Sequence, residues 1–310
     1  MSEKTTYAVC FGEVLWDNLP AGKKPGGAPM NVAYHLKKLG VDSYLISRIG
    51  NDTNGEELKQ VLQVLNIDTE YCQVDEEQPT SLVEVEISPE NEVTYEIVYP
   101  AAWDYIEYEG RLKPLVQNAD ALIYGSLSGR NNVTRETLAQ LLELSSFNVF
   151  DVNLRPPFYE ESYIAFLLGK TDLLKLNLHE LNLMAGWNQI TYKDEFDKIK
   201  LLQDKYHIKE IIVTKGSTGA SYYSELAQLH HPAYPVKVRD TVGSGDSFLA
   251  AFLSKKLSGE PIESTLNFAS AVAAFVTTQP GACPLYTKFD IKQFISDKGE
   301  INAVPARTLD

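Results

Sequence analysis

Short runs of β-forming residues alternate with helical spacing over most of the chain. Tyr7 to Phe11 is an apolar run, and a period near 3.6 follows from about Pro29 to Leu39. The rhythm repeats. Ser43 to Ile49 precedes a helix at Gly55 to Leu65, Ala121 to Gly125 one at Arg135 to Leu144, and Val149 to Val152 one near Tyr163. Leu173 to Leu176 and Ile211 to Val213 add core strands, while Gly245 to Lys256 and Ile262 to Thr277 read as apolar helices. Gln279-Pro280-Gly281 stops the second of these. Strands apolar throughout need cover on both faces, so the pattern predicts an α/β fold around a mostly parallel sheet.

From about Tyr71 to Tyr99 the rhythm breaks. Ser81 to Ile87 alternates polar with apolar, Ser88 to Asn91 turns the chain, and Glu92 to Val98 alternates again. This is an antiparallel hairpin with one wet face, and inserted in a βαβ series it must protrude. Two strands alone are marginal in water, so the hairpin needs support from the chain around Val14 to Asp17, from a ligand or from a second copy. A lid over a cleft and a dimerisation flap are both consistent with it. Ser221 to Val238 reads as an irregular antiparallel edge, and the tail from about Ala303 has no periodicity.

With 310 residues the chain can hold one main α/β domain with a small appendage. Its 28 Lys+Arg against 42 Asp+Glu give a formal charge of −14, which argues against nucleic acid or an anionic membrane as main partner. Any phosphate site must be local. No apolar run approaches the roughly 18 residues that span a bilayer, and the start lacks a secretory pattern, so a cytoplasmic location is expected. Cys10, Cys72 and Cys283 are too few and too far apart for a disulfide framework, and the five histidines show no metal-ligand spacing.

The densest chemistry lies in Asp240-Thr241-Val242-Gly243-Ser244-Gly245-Asp246, which runs straight into a helix. Small residues free a row of N–H groups at a helix start, where an anion is attracted. Asp246 would repel that anion, so it is better explained as taking a proton from whatever attacks it, with helix capping as the plain alternative. Two familiar phosphate motifs fail. Gly169-Lys170-Thr171 has Ile164 where a P-loop needs its first glycine, and Phe11 leads into Gly12-Glu13-Val14 instead of a dinucleotide turn.

A second glycine turn, Pro25-Gly26-Gly27-Ala28-Pro29-Met30-Asn31, lets a small ligand approach the backbone, and Asn31 offers a donor and an acceptor to a hydroxyl. Asp17, in an otherwise apolar run, could accept from two vicinal hydroxyls. Together they suggest a polyol pocket, with a turn residue as the alternative for Asp17 and a helix-start residue for Asn31. Asp151-Val152-Asn153-Leu154-Arg155 sets three polar side chains at alternate positions where a core strand ends, and Arg155 suits an anionic or hydroxyl-bearing ligand. A surface ion pair is the alternative for Arg155.

These residues resemble the ribokinase-like, PfkB-type carbohydrate kinases over nearly the whole chain. Gly26 to Ala33 looks like the N-terminal signature of that family and Asp240 to Asp246 like its C-terminal one; Gly12 to Asp17, Ala101 to Asp104 and Asp151 to Pro157 look most like fructokinases. The resemblance implies a single ribokinase-like domain over 1–310, with a β lid from about 12–26 and 71–104 that often mediates dimers. It implies Asp246 as catalytic base and the N–H groups of Gly243, Ser244 and Gly245 as an anion hole. Asp17, Gly27 and Asn31 would bind sugar hydroxyls, with Tyr95, Trp103 and Arg155 as further sugar contacts.

For the nucleotide it implies Asn177 and Glu180, which organise Mg²⁺ and ATP phosphates through water, then Thr214, Gly216 and Gly219 at phosphate and ribose, and Ser270 near the adenine. Asp240 with the carbonyls of Val242, Val276, Gln279 and Gly281 matches the loop that holds K⁺ in potassium-activated members. Ser244 replaces the usual alanine without spoiling the turn, and Ala28 replaces the lysine of ribokinases, which counts against ribose. The expectation is an ATP-dependent sugar kinase making fructose 6-phosphate from fructose. The alternatives are a 2-keto-3-deoxygluconate kinase and a catalytically silent sugar or nucleotide sensor.

Overall fold

A strand that is apolar along its length has to be covered on both sides, and here the helices between strands do the covering. The computed structural model describes residues 6–19, 22–87, 93–188 and 191–306. Its strands are β1 (Tyr7–Phe11), β2 (Leu15–Leu19), β3 (Gly22–Gly26), β4 (Asp42–Gly50), β5 (Cys72–Asp75), β6 (Leu82–Ile87) and β7 (Val93–Ile97). They continue with β8 (Ala121–Gly125), β9 (Asn148–Asp151), β10 (Leu173–Asn177), β11 (Glu210–Thr214), β12 (Ala220–Tyr223), β13 (Gln228–His231) and β14 (Val304–Pro305). The helices are α1 (Ala28–Lys38), α2 (Thr53–Val64), α3 (Leu112–Asn118), α4 (Asn132–Leu142) and α5 (Glu161–Leu168). After them come α6 (Leu178–Gly186), α7 (Glu195–Tyr206), α8 (Ser244–Lys256), α9 (Ile262–Thr277) and α10 (Lys288–Lys298).

Ten strands form one sheet in the order β14-β13-β12-β11-β10-β9-β8-β1-β4-β5. Neighbours from β11 to β5 run parallel, and β12 to β14 complete the other edge antiparallel. Successive side chains of β1 face opposite layers. Ala8 and Cys10 join residues of α1, α8 and α9, whereas Val9 and Phe11 join residues of α3 to α7. The strand order turns back at β1, with β4 and β5 on one side and β8 onward on the other. In open α/β sheets the crevice lies at the carboxyl ends of the strands beside such a turning point.

The hairpin finds its support within the chain. The small sheet runs β3-β2-β6-β7, with β2 parallel to β6 through Trp16↔Leu82 and Asp17↔Val83. The turn expected at Ser88 to Asn91 lies outside the described residues. Cys72–Asp75, placed above within the lid, instead pairs with β4 as an edge of the large sheet, so the second lid segment starts at β6. The tail is also held more firmly than its pattern suggested, because Val304 and Pro305 pair with His230 and Leu229. Among the described residues no helix is long and apolar enough to cross a membrane.

One buried charge pair ties the lid to the body. Arg130 Nε lies 2.6 Å from Asp104 Oδ1 and its second nitrogen 2.8 Å from Oδ2, while the same guanidinium donates to the carbonyls of Ile97 and Val98 at the end of β7. The guanidinium carbon sits 4.0 Å from the Trp103 ring centroid. Asp104 is fully buried and Arg130 nearly so. Removing one partner of such a pair leaves an uncompensated buried charge, so Asp104→Ala should lose about 3–5 kcal/mol of stability in urea unfolding. A loss within about 0.5 kcal/mol, the range of ordinary surface changes, would show that the latch carries no such weight.

Candidate active site

A cleft of about 1060 Å³ opens where the parallel strands end, between the large sheet and the lid. Asp151, Asn177 and Thr214 are the last residues of β9, β10 and β11, and all three line it. The head of α8 closes one wall. Gly243 caps that helix with φ 73 and without a side-chain bond, and a Cβ there would lie 2.7 Å from Ala282. Gly243, Gly245 and Asp246 face the cleft. Among the described residues no partner takes the N–H of Gly243 or Gly245, whereas the Ser244 N–H donates to the Thr241 carbonyl at 3.3 Å. Ser244 lies outside the lining, so two of the three expected amides belong to residues that face the cleft.

Asp246 does not cap its helix. It sits in the first turn and accepts from Asn31 Nδ2 at 2.8 Å, a bond that crosses from α8 to the first turn of α1. Cys283 Sγ lies 3.3 Å from the other end of the same amide, Asn31 Oδ1. Burial and the charge of Asp151 push the Asp246 carboxyl up to about 6, against the opposing pull of Asn31, Lys175 and Arg155. A carboxylate poised there can exchange a proton near neutral pH.

Lys175 went unnoticed in the sequence, although a lone lysine inside Leu173-Leu174-Lys175-Leu176 is a buried charge that needs a partner. Its ammonium is 2.8 Å from both oxygens of Asp151 and lies 3.3 Å from where a Cβ on Gly245 would stand. A positive charge therefore lies beneath the first turn of α8. Glu13 was missed as well. It follows β1 after Gly12, lines the cleft, accepts the Ala28 N–H at 3.2 Å and leaves Oε2 buried without a partner among the described residues. Burial pushes its carboxyl up to about 7. Gly27, with φ 113, has to be glycine because a Cβ would stand 2.3 Å from the Glu13 carbonyl.

The expected sugar residues divide. Asp17, Gly27, Asn31 and Arg155 line the cleft together, joined by Asn153, whose φ of 39 turns the chain between Asp151 and Arg155. Burial raises the Asp17 carboxyl, and the charge of Arg155 opposes the rise. Trp103 does not reach the cleft. Its ring is fully buried in the short turn Ala102–Tyr105, where it packs on Arg130 and so supports the lid from below. Tyr95 stands opposite Val85 on β7, and its side chain lies outside the described residues.

The nucleotide residues divide too. Asn177, Glu180 and Thr214 line the cleft, but Gly216, Gly219 and Ser270 do not. Gly216 and Gly219 make the tight turn from β11 to β12, and Ser270 is buried on α9 with Oγ unpartnered. Asn177 and Glu180 form the capping box of α6, and Glu180 also accepts the Leu154 N–H at 2.9 Å. Asp240 accepts from the N–H groups of Val242 at 3.0 Å and Gly281 at 2.9 Å, joining the two loops expected to hold K⁺. Burial works against its ionisation, but those amides and Lys24 outweigh it and hold the carboxyl below its usual range. Val242 and Gly281 border the cleft, whereas Val276 and Gln279 lie outside its lining. Among the described residues no group of three His, Cys, Asp or Glu could hold a metal directly.

Residues 5–288 match the model of the pfkB family carbohydrate kinases. Probable fructokinase-5 of Arabidopsis thaliana is 30% identical over 326 residues, which covers 96% of this chain and 99% of that one. The fructokinase of Xylella fastidiosa with bound ATP superposes with a TM-score of 0.83 at 23% identity, over 95% of this chain and 99% of that one. A putative ribokinase II of E. coli in complex with ATP and Mg²⁺ gives 0.79 at 21%, over 94% and 99%. These two structures establish a ribokinase-like fold.

The bond from Asn31 favours the ionised form of Asp246, so its loss should move the titration upward. In Asn31→Leu the carboxyl carbon of Asp246, followed by NMR across pH, should titrate above the native midpoint of about 6. An unmoved midpoint would mean that the bond does not tune the base.

Proposed function

The chain belongs to the pfkB family of carbohydrate kinases and is an ATP-dependent carbohydrate kinase, and from that premise we propose that its sugar is fructose, phosphorylated at the 6-hydroxymethyl oxygen. The observation that carries this reading is the placement of Asp246. Its half-buried carboxylate faces the cleft from the head of α8, bonded to Asn31 of the glycine turn on one side and flanked by the free amides of Gly243 and Gly245 on the other. A sugar held by Asp17, the Gly27 backbone and Asn31 would present its hydroxymethyl group to Asp246. The oxygen attacks the γ-phosphate as its proton passes to Asp246, ADP leaves, and the Gly243 and Gly245 amides bear charge on the transferred group.

Mg²⁺ fits this wall as a hydrated ion. Both oxygens of Glu180 already accept backbone N–H groups, from Asn177 and Leu154, so Glu180 would act through water while ATP phosphates supply direct ligands. When bound, Mg²⁺ neutralises charge on the β- and γ-phosphates. Asn177 and Thr214 would face the phosphate chain, with the Gly216–Gly219 turn toward phosphate and ribose and Ser270 toward the adenine. The Asp240 loop, with the carbonyls of Val242, Val276, Gln279 and Gly281, is the proposed place for K⁺. Closure of the lid would exclude water, the competing nucleophile. Pairing of two copies through the edge strands of the lid is the proposed route to a dimer.

A second reading rests on Arg155. Among the described residues its guanidinium has no carboxylate within ion-pair distance, so it is available to the acid group of 2-keto-3-deoxygluconate. An ADP-release screen over fructose, that acid, ribose, tagatose and adenosine, with and without K⁺, decides between them. Fructose should be the preferred acceptor. Turnover with the acid alone would replace fructose, and sugar binding without any ADP release would point to a sensor.

Asp246→Asn should lower kcat by about 100-fold or more, the usual share of a general base, while Mg·ATP and fructose still bind. Turnover near the native rate would refute the assignment. In the native enzyme kcat/KM should fall as pH drops through about 6, because protonated Asp246 cannot accept the hydroxyl proton. A flat profile across that range would place the base elsewhere.

A further inference from the structure

The cleft is short of positive charge. Its lining holds seven carboxylates, those of Glu13, Asp17, Glu96, Asp151, Glu180, Asp240 and Asp246, against the three cations Lys24, Arg155 and Lys175. A nucleoside triphosphate brings further negative charge, of which Mg²⁺ offsets only a part. Lys175 is committed to both oxygens of Asp151, and Arg155 follows β9 on the wall beneath the lid. Lys24 remains, and it comes from the lid.

Neighbouring residues on a strand face opposite ways, and β3 uses that alternation. Lys23 points outward to α2, with its ammonium 2.6 Å from Asn54 Oδ1 and 3.3 Å from Glu57, and so holds the strand in place. Lys24 therefore turns into the cleft, where its Cα partner across the ladder is that of Asp17. The ammonium of Lys24 crosses to the opposite wall and comes to lie 3.6 Å from where a Cβ on Gly281 would stand. Gly281 precedes Ala282, the residue packed behind Gly243, and its N–H is bonded to Asp240. An exposed lysine on the lid thus reaches the loop beside the α8 turn.

We propose that Lys24 is a phosphate-binding residue delivered by the lid, whose ammonium contacts the β- and γ-phosphates of the bound nucleoside triphosphate. This rests on the reading of Gly243 to Gly245 as the anion hole. The side chain rests over Gly281, close enough to help keep Asp240 ionised. With a nucleotide bound, its charge joins the lid to the phosphate chain, and lid position becomes sensitive to the γ-phosphate. The contact is a charge-assisted hydrogen bond.

The test compares the full chain with Lys24→Ala and Lys24→Arg, measuring by calorimetry the binding of AMP, ADP and a non-hydrolysable ATP analogue in Mg²⁺. Lys24→Ala should weaken the triphosphate analogue about tenfold, ADP less, and AMP within about twofold, as expected for one lost charge-assisted contact. Lys24→Arg, which keeps the charge, should bind the analogue within about threefold of the native protein, and sugar KM should be little changed in either variant. Lys24 is exposed, so an unchanged melting temperature verifies that both variants are folded. Equal losses for all three nucleotides, no loss at all, or an effect confined to sugar KM would overturn the proposal. So would rescue of Lys24→Ala by K⁺, since the lysine would then serve the Asp240 loop alone. A native protein that binds the analogue but phosphorylates no sugar would sink the proposed function while leaving the Lys24 series interpretable.

Discussion

Holding a negative charge on Asp246 at the half-buried wall of the cleft is the constraint around which its surroundings are arranged. A carboxylate partly withdrawn from water loses hydration, so the surroundings have to supply some of what water would. Three things do. The head of α8 contributes its unpaired N–H groups and dipole, Asn31 donates from α1, and Lys175 stands below with its charge shared by Asp151. None of these is close to Asp246 in sequence except the helix itself. The glycine turn at 26–27, the ends of β9 and β10 and the head of α8 all meet around this one carboxylate.

The parallel sheet makes that meeting possible. Strands running in one direction bring their carboxyl ends to one edge, so Asp151, Asn177 and Thr214 arrive together without being neighbours in the chain. The lid adds the opposite wall, and its stability comes from places far from the chemistry. Trp103, Asp104 and Arg130 form a buried block under the end of β7, which sets where Ile97 lies in the cleft. A tryptophan that resembles a sugar contact in sequence works instead as a foundation for one wall of the cleft.

The same double use explains what the motifs did and did not reveal. Asn177 and Glu180 carry a family motif and are also a capping box, so one pair of side chains both starts α6 and faces the cleft. Gly216 and Gly219 were legible as a glycine turn. Their distance from the cleft was not, because a turn's conformation is local and its placement depends on β12 and β13. Lys175 and Glu13 were visible as charges in apolar runs, but their partners Asp151 and Ala28 come from other elements. Ser244 belongs to the anion motif in sequence, yet its N–H turns to Thr241 within the loop.

Local pattern by itself determined the elements of the α/β layers, the stopping point of α9, the break in rhythm at the hairpin and the two glycine turns with Asn31 and Asp246 beside them. Each of these follows from spacing, turn residues or capping over a few positions, which is the range on which backbone preferences act. Only the tertiary structure decided that Cys72–Asp75 belongs to the large sheet, that the hairpin rests on β2, that Trp103 is buried and that Lys24 crosses the cleft. Those outcomes depend on which distant surfaces meet and exclude water. Burial and charge pairing become defined only when the whole sheet and its lid are assembled.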